Sequence, residues 1–148
     1  DILEIESVRQ TVRDIETESS SANPNLEKIK NDFDHLYSDS GFPKAIQILK
    51  NLNPKSVLDI GGNTGKFASL FAKENPQISI TIMDLPQQIK LAKQNIYEQN
   101  ITNISTYEAN ILLEETTIPK GFDIIWMSQF LDCFKEEQII TILSKIRN

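Results

Sequence analysis

The run Val57-Leu58-Asp59-Ile60-Gly61-Gly62-Asn63-Thr64-Gly65-Lys66-Phe67 leads from a short apolar stretch through a glycine-rich turn into a helical pattern. Three glycines without Cβ atoms let the backbone turn sharply and approach a ligand. The free N–H groups at a helix start favour an anionic group there. Asn63 tolerates left-handed geometry better than most residues. Elimination narrows the ligand. A phosphate-wrapping P-loop needs glycine five residues before its Gly-Lys pair and Ser or Thr after it, and those positions hold Ile60 and Phe67. A dinucleotide fingerprint begun at Gly61 meets Asn63 and Lys66 where its second and third glycines belong. What remains is acidic-x-Gly-x-x-x-Gly, carried by Asp59, Gly61 and Gly65. A second candidate, Asp84, lies 19 residues beyond Gly65 at the end of Thr81-Ile82-Met83-Asp84-Leu85-Pro86. A carboxylate at the C-terminal end of a strand can accept hydrogen bonds from both hydroxyls of a ribose.

Such residues need a scaffold that brings strand ends together. Apolar runs predict four strands, Ser56 to Ile60, Ile78 to Asp84, Ile104 to Tyr107 and Phe122 to Met127. Helical spacing predicts helices from Lys66 to Asn75 and Pro86 to Asn100, and a less regular crossover runs from Glu108 to Gly121. Repeated strand, crossover, strand units imply an α/β fold with a doubly wound parallel sheet. Upstream, Pro43 to Leu52 reads as a helix with proline in its first turn, and Leu26, Ile29, Phe33 and Leu36 repeat at helical spacing. Ile5, Val8, Val12 and Ile15 form one narrow apolar seam. The expected organisation is an amphipathic arm at 1–18, a linker at 19–25 rich in Ser, Asn and Pro, and a ligand-binding domain at 26–148.

Composition excludes several partners. The 148 residues carry 15 Lys plus Arg against 21 Asp plus Glu, a formal charge of −6 that repels nucleic-acid phosphates. A single cysteine, Cys133, and a single histidine, His35, cannot build a zinc site or an intrachain disulfide. No stretch approaches the roughly 18 apolar residues of a membrane span, and the start lacks the features of a signal peptide. These points fit a cytoplasmic protein without metal, membrane or nucleic-acid partners. The chain begins without Met and stops in a helical pattern, so a fragment is expected.

The glycine turn resembles the first motif of class I S-adenosylmethionine-dependent methyltransferases. That resemblance implies S-adenosyl-L-methionine as cofactor, its methionine part facing Asp59, Gly61, Gly62, Asn63 and Gly65. Asn63 departs from the further glycine often found at its place. Asp84-Leu85-Pro86 resembles the matching segment of small-molecule O-methyltransferases, which implies Asp84 on the ribose and Leu85 near the adenine. Ala109-Asn110 stands where the family usually has Gly-Asp, and Asn110 keeps a side-chain carbonyl for the adenine amino group. The segment from Phe122 to Phe134 resembles the family again, and the end of its strand, Met127-Ser128-Gln129, is expected to reach the cofactor edge. Where a Leu-His-Asp-Trp sequence often supplies a histidine base, this chain has Leu131-Asp132-Cys133-Phe134. Asp132 is therefore a candidate base, weighed against an N-cap for a helix whose first turn would begin at Cys133.

The implied fold is a Rossmann-like sheet of methyltransferase type with N-terminal helices, truncated after its fourth strand and the helix that follows. By analogy the strands lie in the order 3-2-1-4. The implied function is methyl transfer to oxygen on a small-molecule acceptor by in-line displacement, with no metal required. One alternative is a catalytically silent cofactor-binding or association fragment, since the histidine is absent and the Ile5 to Ile15 seam is free. Another is a nicotinamide-dependent oxidoreductase, disfavoured by Asn63 and Lys66. Ile124 to Met127 would make a poor edge, so either further strands follow Asn148 or the chain self-associates as a homodimer.

Overall fold

Short runs rich in Val and Ile between polar turns form strands in the computed structural model, which describes residues 41–147. The expected segments at 1–18, 19–25 and Leu26 to Leu36 lie outside the described residues. Residues 41–51 are helical (α1), and β1 (Ser56–Ile60) follows. Then come α2 (Lys66–Glu74), β2 (Ser79–Asp84), α3 (Pro86–Glu98), β3 (Ile104–Glu108), β4 (Ile124–Trp126) and α4 (Glu136–Arg147). The strands form one parallel sheet in the order β3-β2-β1-β4, as expected for a Rossmann-like domain.

Period-two alternation sorts the strand residues between two cores. Val57, Ile80 and Ile82 face α1, α2 and α3 and meet Phe42, Ile46, Phe67, Phe71, Ile89 and Ala92. On this face the Phe67 ring stacks on Trp126 with centroids 4.8 Å apart, which fastens α2 to β4. Leu58, Ile60 and Met83 point the other way and pack with Ile111, Ile118 and Ile142 of α4. Helices therefore cover both faces, and the C-terminal strand ends are left for loops.

Half-buried polar side chains tie down connecting segments at both ends of the sheet. Asn103 Nδ2 donates to the carbonyls of Ala72, Asn75 and Ile78, closing the end of α2 onto the β2 and β3 starts. Lys145 of α4 donates to the carbonyls of Ile111 and Leu113, anchoring the crossover that follows β3.

Two expectations are corrected. β4 is shorter than Phe122 to Met127: it starts at Ile124, just after Asp123 turns its carboxylate onto the backbone N–H groups of Lys55 and Ser56 at 2.7 and 3.0 Å, and it ends at Trp126. The helix after β4 does not begin at Cys133. Leu131–Cys133 is a 3-10 turn, Phe134 is extended at φ −120°, and α4 starts at Glu136. Asp132 is therefore not its N-cap. The Gln138 side chain instead accepts the Lys135 N–H at 3.0 Å, and Lys135 O accepts the Ile139 N–H.

Candidate functional site

The turn after β1 adopts the geometry that its composition demands. Gly61 and Gly65 have φ of 74° and 76°, and Asn63 takes 50°. Gly62 is constrained by space: a Cβ there would lie 2.7 Å from Asp59 Oδ2. Asp59, the last but one residue of β1, is only 2% exposed, and its Oδ2 has no hydrogen-bond partner. Burial, reinforced by the nearby Asp84 charge, pushes its pKa up to about 7.

Asp84 ends β2 beside the same turn. Its Oδ2 accepts the Asn63 N–H at 2.8 Å and its Oδ1 accepts the Leu85 N–H at 2.7 Å. Partial burial still raises its pKa, against the lowering effect of those two donors. Each oxygen keeps lone-pair capacity for a ligand hydroxyl.

A cavity of about 200 Å³ opens at the C-terminal ends of the strands. Asp84 and Leu85 after β2, Ala109 and Asn110 after β3, and Phe130 and Phe134 after β4 line it, over a floor that includes Ile60 and Met83. Open α/β sheets bind ligands in this crevice because successive strands deliver their loops to one edge. Asn110 Oδ1 accepts the Leu112 N–H at 3.1 Å, which fixes the side chain at the cavity wall and leaves one lone pair of that oxygen.

A family model described as a methyltransferase domain matches residues 58–148, more than half of the chain. The chain belongs to the methyltransferase domain family. Its relatives include the malonyl-[acyl-carrier protein] O-methyltransferase of a Paenibacillus species, 35% identical over 78 residues that make 51% of this chain and 28% of that protein. The demethylspheroidene O-methyltransferase of Rhodobacter capsulatus is 27% identical over 102 residues, 69% of this chain and 24% of that protein. Among solved structures, the S-adenosylmethionine-dependent methyltransferase SibL in its apo form superposes with a TM-score of 0.74 at 23% identity, covering 96% of this chain and 44% of that one. The matched segment spans between 20% and 28% of the length of the curated relatives.

Within this methyltransferase domain, the structure brings Asp84, Leu85 and Asn110 onto one cavity and sets the turn of Asp59, Gly61, Gly62, Asn63 and Gly65 next to Asp84. It does not bring Met127 or Ser128 into the cavity lining, and Met127 packs against the core beneath α4. Asp132 is exposed in the 3-10 turn, also outside the lining. Phe130 and Phe134 line the cavity although sequence reasoning assigns them no place in the site. The signal for them is their place just after a parallel strand's C-terminal end.

Proposed function

We propose that this domain binds S-adenosyl-L-methionine across the turn and cavity and, within the whole protein, transfers its methyl group to an oxygen of a small molecule. The observation that carries the reading is the Asp84 carboxylate, bonded to the glycine turn at Asn63 while lining the cavity. The residues suit that cofactor. Asp59, with an unpartnered buried oxygen under Gly62, and Asp84 together favour a cationic amino-acid group, while Asp84 offers acceptors to ribose hydroxyls. Apolar Leu85 and Ile111 and the carbonyl of Asn110 suit an adenine ring and its amino group. Oxygen as acceptor is supported by the two relatives, both O-methyltransferases by name.

When bound, the cofactor supplies an activated methyl whose leaving group needs no further help from acid or metal. The chain's own task is then to hold the acceptor oxygen in line and take its proton. Asp132 is the group proposed for that proton, supported by its place two residues after Phe130, which lines the cavity. A cytoplasmic setting belongs to the same proposal and is supported by the single, exposed Cys133. Among the described residues no helix is long and apolar enough to cross a membrane.

Isothermal titration with S-adenosylmethionine, S-adenosylhomocysteine and a reduced nicotinamide dinucleotide tests the cofactor. Binding of the first two alone is expected. Binding of the dinucleotide in their place would overturn the reading.

A further inference from the structure

Phe130 has no role so far beyond lining the cavity, yet its ring is pressed onto the glycine turn. A Cβ on Gly61 would lie 2.2 Å from Phe130 Cδ2, 2.8 Å from Cγ and 2.9 Å from Cε2. The ring therefore uses the space that only glycine leaves open at this position. Phe130 also borders the cavity that holds Asp84 and Asn110. It is thus in contact with both halves of the site: the turn on one side, and the compartment of the ribose-facing carboxylate on the other.

The chain strains to put it there. Gln129, immediately before it, takes φ of 49°, a left-handed conformation uncommon for a residue other than glycine or asparagine. Phe134 holds the ring edge to face with centroids 4.9 Å apart at 68°. An aliphatic side chain would fill the same volume. A ring adds a π face of negative potential, which attracts a desolvated cation and has no such effect on a neutral group.

The cofactor named under Proposed function, on which this inference rests, carries its second positive charge on a sulfur that joins the methionine part to the ribose. A ring touching both the turn and the Asp84 compartment stands beside that junction. We propose that Phe130 reads the sulfonium charge, so that the site distinguishes the methyl donor from its neutral thioether product. Product release is then favoured by the reaction itself: transfer of the methyl leaves both S–C electrons on sulfur and cancels the charge that the ring attracts.

Calorimetric titration of the full chain with S-adenosylmethionine and with S-adenosylhomocysteine measures the ratio of the two Kd values. The comparison uses the wild type, Phe130→Leu, and a variant carrying pentafluorophenylalanine at the same position. The fluorinated ring keeps the shape that packs on Gly61 and Phe134 but reverses its face potential, so it reports even where the leucine variant fails to fold. Both replacements are expected to weaken the sulfonium ligand by about fivefold or more and the thioether by less than about twofold, the scale of a cation over an aromatic face. Equal weakening of both ligands, or an unchanged ratio, overturns the inference and leaves the cofactor reading standing. A wild type that binds neither ligand overturns both.

Discussion

Asp84 Oδ2 accepts the backbone N–H of Asn63 at 2.8 Å, so the carboxylate that closes β2 also fixes the shape of the turn after β1. The bond crosses from one strand end to the next, and it couples the two halves of the candidate site. Asp84→Ala is expected to weaken S-adenosylmethionine by about 1–3 kcal/mol, the scale of losing hydrogen bonds to a charged acceptor. Unchanged affinity in a calorimetric titration would remove Asp84 from the site.

Asp59 sets a pH dependence of stability. Its pKa is raised to about 7 in the folded chain, first by burial and then by Asp84, from 3.8. Between those values the folded state holds a proton that the unfolded state has lost, so stability is fullest at the acid end and falls as pH rises towards 7. Asp59→Asn is expected to flatten that fall, worth on the order of 1–4 kcal/mol, in urea unfolding followed across the window. A wild-type stability that rises with pH there, or a fall that persists unchanged in the variant, would contradict it.

Gly61 cannot take a side chain without displacing Phe130. Its φ of 74° adds backbone strain to the 2.2 Å approach of the ring. Gly61→Ala is expected to destabilise the domain by about 1–3 kcal/mol in chemical denaturation. A variant as stable as the wild type would show that the ring moves aside freely.

Asp132 separates chemistry from capping. Because α4 starts beyond it and the Gln138 side chain serves its first turn, Asp132→Asn is expected to leave the melting temperature nearly unchanged. In the whole protein it should lower kcat by ~100-fold if it takes the acceptor proton. Normal turnover would exclude that role.

Asp123 clamps the sheet through Lys55 and Ser56, and those backbone donors hold its carboxyl below the usual carboxylate range. A depressed pKa contributes stability above the unfolded value, and that contribution is lost as pH falls through the folded one. Asp123→Asn is expected to melt lower than the wild type at neutral pH. The difference should close in acid, and a gap of constant size across pH would contradict the clamp.

Much of this was legible because local chemistry and tertiary demand agree. β1 spans Ser56–Ile60 as its apolar run predicts, and Pro86 opens α3 where a missing N–H costs nothing. The glycine turn and Asp84 were readable for the same reason: left-handed backbone and a strand-end carboxylate are local requirements. The region after β4 was not. Asp132 before Lys135, Glu136 and Glu137 has the composition of a cap and first turn, yet between the cavity-lining Phe130 and Phe134 the chain runs through a 3-10 turn and reaches an extended residue before α4 starts. The contact of Phe130 with Gly61 joins distant segments, and no spacing along the chain announces it. The clamp of the Asp123 carboxylate on Lys55 is likewise a long-range bond that no local pattern encodes.

A crystal structure of the chain with S-adenosylhomocysteine tests the central claim most directly. The account predicts the ribose hydroxyls within hydrogen-bond distance of Asp84, the adenine between Leu85 and Asn110, and the amino-acid end along Gly61 to Gly65. A ligand seated elsewhere, or one that reaches the cavity without touching Asp84, would contradict it.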